Sequence, residues 1–131
     1  MTSIDGLAET DGLVAFVKKD CATCEMVQPV LQELIDAGAL GRIITQDDPA
    51  FPSVTGLVVT HDHDLGLSWH ADIETVPTLM QVSDGVESDR TVGWHRGQWE
   101  AFTDVANLGA ELPDQRPGCG SMSVDLSLIH I

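Results

Sequence analysis

Basic residues are what this chain has least of. Six lysines and arginines stand against 21 aspartates and glutamates in 131 residues, a formal net charge of −15. So acidic a surface repels phosphate backbones and anionic lipid, which argues against nucleic-acid binding and against a membrane-surface role. The charge is read as a solubility feature. No run approaches the roughly 18 apolar residues that would span a bilayer. The opening MTSIDGLAETDG has no basic segment followed by an apolar stretch, so it does not read as a secretory signal, and a cytoplasmic location is expected. Cysteine is scarce as well. Three cysteines are too few, and an odd number, for a disulfide-stapled secreted scaffold; in a reducing compartment a close pair is catalytic or metal-binding. Internal repeats and low-complexity tracts are missing too. What remains, 43% hydrophobic and 21% charged residues, is the composition of one globular domain.

Along the chain, Leu13-Val14-Ala15-Phe16-Val17 is a short apolar run with β-branched content, which predicts a buried strand. Between Ala22 and Ala37 the apolar residues Met26, Val27, Val30, Leu31, Leu34 and Ile35 recur at three- and four-residue steps. That spacing predicts one helix, closed by Gly38. Arg42 to Thr45 reads as a second strand, broken at Asp47-Asp48-Pro49. Leu57-Val58-Val59 suggests a short strand and Asp64 to His70 one or two helical turns. Thr78 to Val82 and Glu87 to Val92 form a hairpin around Ser83-Asp84-Gly85. Arg96 to Leu108 is a final helix with Trp99, Phe102, Val105 and Ala106 inward. The expected class is α/β, a central mixed β-sheet flanked by helices, with a βαβ half followed by a ββα half.

The chemistry concentrates at Cys21-Ala22-Thr23-Cys24, where a strand ends and a helix begins. A helix amino terminus offers unpaired N–H groups and partial positive charge, both of which favour a thiolate. Spacing of three residues returns the second sulfur to the same face, within bonding reach of the first. Lys18 and Lys19 would help the anion, whereas Asp20 and Glu25 would oppose it. The expected reaction is exchange through a mixed disulfide: Cys21 attacks, then Cys24 resolves. A structural zinc half-site and two packed core cysteines are the alternatives.

Residues 21 to 31, Cys-Ala-Thr-Cys-Glu-Met-Val-Gln-Pro-Val-Leu, resemble the active-site helix of thioredoxins, in which a proline follows the second cysteine by five residues, as Pro29 does here. Val76-Pro77-Thr78 resembles the family's cis-proline loop. Gly93 and Gly97-Gln98-Trp99 match its glycine after the hairpin and the opening of its last helix. The resemblance covers about residues 10 to 108 and implies a thioredoxin-like fold. It further implies a kink at Pro29 and a cis bond at Pro77. Val76 would bind an extended partner through its backbone, and Val76, Pro77 and Thr78 would form the substrate groove. Departures are equally plain. Asp20 stands where thioredoxins carry tryptophan, Ala-Thr replaces Gly-Pro between the cysteines, and Ala15 replaces the buried aspartate that accepts the resolving thiol's proton. Deprotonation of Cys24 must then use water, Glu25 or another group. The stretch between Cys21 and Pro77 is also longer than in a minimal thioredoxin. Its surplus, around Pro49 to His63, is read as an insertion rather than a partner-specific loop.

Other features carry less. His61-Asp62-His63-Asp64 is metal-friendly in composition but lacks finger-type spacing, and no metal is assigned. Trp69-His70 and Trp94-His95 read as packing pairs. Cys119, in Pro117-Gly118-Cys119-Gly120, is an accessory candidate: it could exchange with Cys21, serve a further domain, or be a plain linker cysteine. Residues 1–110 are expected to form the thioredoxin-like domain and 111–125 a linker toward a missing C-terminal domain. Leu126 to Ile131 is what one frame of a sequencing-library transposon adapter encodes, so native sequence is expected to end near Asp125, a native apolar tail being the alternative. The expected function is protein thiol–disulfide exchange, with protein disulfides or dithiols and a fused domain as partners and no cofactor beyond the Cys21–Cys24 disulfide. A non-catalytic docking module and a CxxC zinc site stand as alternatives.

Overall fold

The computed structural model describes residues 11–123; the adapter-like residues 126–131 lie outside them. In chain order come β1 (Gly12–Val17), α1 (Ala22–Met26), α2 (Gln28–Asp36), β2 (Arg42–Thr45), β3 (Val59–His61) and α3 (Gly66–His70). Then follow β4 (Thr75–Val76), β5 (Thr78–Ser83), β6 (Val86–Val92), β7 (Trp94–His95), α4 (Arg96–Thr103), β8 (Gln115–Arg116) and β9 (Cys119–Gly120). Five strands make the central sheet, in the order β3-β2-β1-β5-β6. β1 and β2 pair in parallel, as do β2 and β3, while β5 runs antiparallel to both β1 and β6. This is the mixed sheet expected from the alternation of elements. β1 occupies its centre, and Val14 through Val17 are wholly buried. A continuous apolar run, rather than alternation, is what a strand covered on both faces requires.

The helix expected over 22–37 is two helices. Pro29 lies at the start of α2, where a residue without an N–H costs nothing, and the chain breaks at Val27. Continued as one helix, Pro29 would leave the Glu25 carbonyl without its donor; instead the Gln28 side chain donates to that carbonyl at 3.3 Å. Val30, Leu31 and Leu34 on α2 join the core. The surplus loop before β3 is strapped to the same helix. Gln28 accepts from the Ser53 N–H at 3.0 Å, and Gln32 accepts from the Thr55 N–H at 2.8 Å. β3 begins at Val59, two residues later than the sequence pattern placed it.

α4 stops at Thr103, short of the expected Leu108. Asp104 adopts a left-handed conformation (φ 59°) and ends the helix. The chain that follows does not leave the domain. Arg96 donates to the Leu108, Gly109 and Leu112 carbonyls at 2.9, 2.7 and 2.6 Å and pairs with Asp114, while the Trp94 indole donates to the Pro113 carbonyl at 2.7 Å. β8 then pairs with β7, and β9 with β4. Residues 111–123, read from their proline and glycine content as part of a linker, are therefore packed on the sheet's end. Such composition reports a non-helical backbone and says nothing of the distant side chains that hold it. Among the described residues no helix is long and apolar enough to cross a membrane.

Candidate active site

β1 ends at Val17, and the next three residues turn the chain toward α1. That turn has a dedicated anchor. The Asp47 carboxylate, just beyond β2, accepts the Lys19 N–H at 2.8 Å, the Asp20 N–H at 3.0 Å and the Asp48 N–H at 2.8 Å. Partial burial pushes the Asp47 carboxyl up, but these N–H groups outweigh it and hold the carboxyl below its usual range. Sequence reasoning treated Asp47 only as a strand breaker, because nothing local in Asp47-Asp48-Pro49 shows which amides it will meet.

Cys21 caps α1, and its sulfur accepts the Cys24 N–H at 3.3 Å. Only 5% of Cys21 is exposed, through a shallow depression lined by Lys19, Asp20, Ala22, Glu25 and Asp47. Cys24 is fully buried. Burial pushes its thiol up to about 12. The Lys18 backbone N–H and the Lys18 charge act against that rise, and the charges of Asp47 and Glu25 add to it. Ala15, where thioredoxins bury an aspartate, is itself wholly buried and supplies no base.

On the far side of Cys21 stands the Val76–Pro77 loop. Its peptide bond is cis, as is Phe51–Pro52, which the sequence reading did not single out. The Thr78 hydroxyl donates to the Thr75 carbonyl at 2.6 Å, and Pro77 accepts the Gly93 N–H at 2.8 Å, so the loop is fixed from both ends. The Val76 carbonyl oxygen lies 3.7 Å from Cys21 Sγ. The structure thus brings Cys21, Cys24, Val76, Pro77 and Thr78 together at one end of β1.

It also brings Cys119. Cys21 and Cys119 form a disulfide spanning 98 residues of sequence, with their Cα atoms 5.8 Å apart, while Cys24 is free. Cys119 arrives on β9, which runs antiparallel to β4 with Cys119 opposite Val76 and Gly120 opposite Thr75. Thr23, between Cys21 and Cys24, donates its hydroxyl to the Pro117 carbonyl at 2.7 Å. Cys119, read from sequence as able to exchange with Cys21, to serve a further domain or to be a linker cysteine, is thus placed against Cys21.

The histidines are elsewhere. His61 and His63 rings lie 6.0 Å apart, and among the described residues no group of three or more His, Cys, Asp or Glu could hold a metal ion. His95 caps α4 by accepting the Gln98 N–H at 3.1 Å. Trp94 and Trp99 stack edge to face, centroids 5.0 Å apart, in the core.

Set against solved structures, the chain is similar to a secreted disulfide oxidoreductase of Mycobacterium tuberculosis that is homologous to E. coli DsbE. The TM-score is 0.56 at 15% identity, over 71% of this chain and 79% of that one. The fold is thioredoxin-like. A thioredoxin of Malassezia sympodialis, Mala s 13, aligns at a TM-score of 0.47 and 20% identity, over 75% of this chain and 79% of that one. No protein-family model matches the sequence, and no curated protein matches it. On the thioredoxin-like scaffold, Cys21 and the Val76–Pro77 loop come from opposite halves of the domain, the βαβ half and the ββα half, and meet across the β1–β5 pairing.

Proposed function

We propose that this chain is a thiol–disulfide oxidoreductase acting on protein disulfides or dithiols, with Cys21 as the attacking thiol and Cys24 as the resolving one. The observation that carries the reading is the bracketing of one sulfur. Cys21 Sγ meets the Cys24 N–H on its inner side, and on its outer side the Val76 edge, where a cysteine-bearing strand is already paired. In reduction, the Cys21 thiolate attacks a substrate disulfide, forming a mixed disulfide and expelling one substrate thiolate. The Cys24 thiolate then attacks Cys21 Sγ, breaks the mixed disulfide and releases the second substrate thiol. Two electrons have passed to the substrate, and Cys21–Cys24 is left as a disulfide. An external thiol restores the pair; run in reverse, the sequence oxidises a dithiol. The Val76, Pro77 and Thr78 loop would hold the substrate strand by its backbone.

The second step carries the cost. A thiol at about 12 is thiolate in only a minute fraction near neutrality. Asp47, held below the usual carboxyl range, is a poor proton acceptor, which leaves exposed Glu25 or water for that task. In the cytoplasm, where the sequence reading puts the chain, a disulfide at Cys21 would be a transient of turnover.

The test is reduction of insulin disulfides by dithiothreitol with the full chain as catalyst, comparing wild type, Cys21→Ser and Cys24→Ser/Cys119→Ser. Catalysis lost in Cys21→Ser, together with a mixed disulfide at Cys21 that persists when the reduced double variant meets insulin without dithiothreitol, supports the reading. Undiminished catalysis in Cys21→Ser overturns it. Insulin binding without any exchange in wild type would instead identify a docking module.

A further inference from the structure

Residues 118–121 lie along the Val76 edge as a substrate strand would, and they are part of the chain itself. We infer that Cys119 is an internal substrate of the Cys21/Cys24 pair, and that its segment fills the substrate groove until exchange releases it. The inference rests on the exchange chemistry proposed above.

Contacts on both sides of Cys119 fix the segment. Before it, β8 pairs with β7 and the Pro117 carbonyl accepts from Thr23. Gly118 runs so close to the loop that a side chain there would strike the Val76 carbonyl and come within 2.6 Å of Thr75 Cγ2. The partner face is cleared in the same way: a Cβ at Gly93, whose φ is +71°, would meet Gly118 N at 3.1 Å and the Arg116 carbonyl at 3.3 Å. After Cys119, the Ser121 N–H donates to the Glu74 carbonyl at 3.0 Å, extending the β4–β9 pairing. Buried Gln46 donates to Ser121 Oγ at 2.7 Å and accepts the Met122 N–H at 2.9 Å, and Ser123 Oγ donates to the Ile73 carbonyl at 2.9 Å. A flexible linker carrying an accidental disulfide would make none of these contacts; here they seat the segment on both sides of Cys119.

The exchange balances without an outside reagent. The Cys24 thiolate attacks Cys21 Sγ, the Cys21–Cys119 bond breaks, and the Cys21–Cys24 bond forms. Cys119 leaves as a thiolate and takes up the proton that Cys24 gave. The oxidation state of the chain is unchanged. What changes is access, since the groove is covalently closed in one isomer and free to exchange its occupant in the other. An external substrate must present an extended cysteine segment in the place of β9, and the crowding at Gly118 selects glycine just before that cysteine.

The experiment uses the full chain with Cys24→Ser, and separately with Cys24→Ser/Cys119→Ser, each reduced and then treated with one equivalent of Ellman's reagent. Attack by Cys21 releases one thionitrobenzoate ion in both proteins. In Cys24→Ser a second ion is expected, with peptide mapping showing Cys21–Cys119, at a rate unchanged by about tenfold dilution because the attacking thiol is tethered. In the double variant the adduct persists. Gly118→Val in the Cys24→Ser background is expected to slow the second release about tenfold or more, and Thr23→Val, which removes a donor, to slow it in the same direction. A Cys24→Ser adduct as long-lived as that of the double variant overturns the inference. So does a second release that scales with protein concentration, or one indifferent to both Gly118→Val and Thr23→Val. If the double variant releases no first ion, the failure lies with Cys21 as the attacking thiol.

Discussion

Val76 and Cys119 face one another as antiparallel strand partners, and the same Cys119 is bonded to the cysteine that the Val76 carbonyl approaches. One short strand pairing thereby ties the latest described segment of the chain to the beginning of α1.

This tie has a stability consequence. A crosslink spanning 98 residues removes much of the unfolded chain's freedom, and for loops of that length the chain-entropy model gives about 4–5 kcal/mol. For a domain of this size, such a loss corresponds to a drop in Tm of roughly 15–20 °C. Oxidised wild type is therefore expected to melt about 15–20 °C above its reduced form, whereas Cys119→Ser should show no comparable difference between oxidant and reductant. Differential scanning calorimetry of both proteins checks it. An equal redox dependence in Cys119→Ser would mean that the stabilising bond is a different one.

Cys24 sets a pH dependence whose sign is fixed by its burial. The folded thiol lies near 12, against an ordinary value of 9.0, so the folded state holds its proton more tightly than the unfolded state does. Its contribution to stability is complete below pH 9 and is lost as pH rises toward 12. Urea melts of the reduced protein between these limits should show an alkaline decline that Cys24→Ala lessens. In the same window the resolving step should quicken about tenfold per pH unit, since its rate follows the thiolate fraction. Stopped-flow release from a Cys21 mixed disulfide in Cys119→Ser measures this directly. A flat profile would show that another group takes the proton within the site.

Asp47 acts in the opposite direction. Its folded pKa is depressed, so the stability it contributes is present above the ordinary carboxyl range and is lost as acid protonates it. Asp47→Asn keeps the shape but weakens three N–H contacts, and it is expected to cost about 1–3 kcal/mol near neutrality. It should also flatten part of the acid limb of the stability profile. Because the carboxylate anchors the turn before Cys21, the variant should slow mixed-disulfide formation as well. Parallel acid titrations by circular dichroism, with an Ellman's rate at Cys21, separate the two effects.

Much of the scaffold was legible because it is local. The β1 run, the α2 stripe at three- and four-residue steps and the β5–β6 hairpin around Asp84-Gly85 each announce their period within a few residues. The cysteine pair was legible through its spacing and its place at a strand's end, and Pro77 through the resemblance of Val76-Pro77-Thr78 to a thioredoxin loop. Three things were not. The break at Val27 was hidden because Pro29 reads equally as a kink within a helix or as the first turn of a new one. Asp47 was hidden because its ligands are backbone amides, which carry no sequence signature. The tail was hidden because proline and glycine look the same in a free linker and in a strand pressed against a glycine. The partners that distinguish the two, Gln46, Trp94 and Arg96, belong to other elements and come together only in the fold.

Gln46 shows how strongly the tail depends on that convergence. The residue is 2% exposed, and its side chain joins both sides of the domain's end: Nε2 donates to Ser68 Oγ at 2.9 Å and to Ser121 Oγ at 2.7 Å, while Oε1 accepts from Met122. Ser68 in turn donates to the buried Asp62 carboxylate at 2.6 Å, so the tail is wired into a network that spans α3 and the end of β2. Gln46→Leu keeps the volume but takes the acceptor from the Met122 N–H, at about 1–3 kcal/mol if it stays buried, and removes one contact each from the Ser68 and Ser121 hydroxyls, which keep Asp62 and Ser123. Part of that cost disappears if the tail detaches, because Ser121 and Met122 then reach water. The variant is therefore expected to favour the detached tail, with hydrogen exchange at residues 115–123 rising well before exchange in β1. In the reduced protein the depression at Cys21 should also become more reactive toward a bulky maleimide. Unchanged protection across 115–123 in Gln46→Leu would show that the β4–β9 pairing alone suffices to hold the strand.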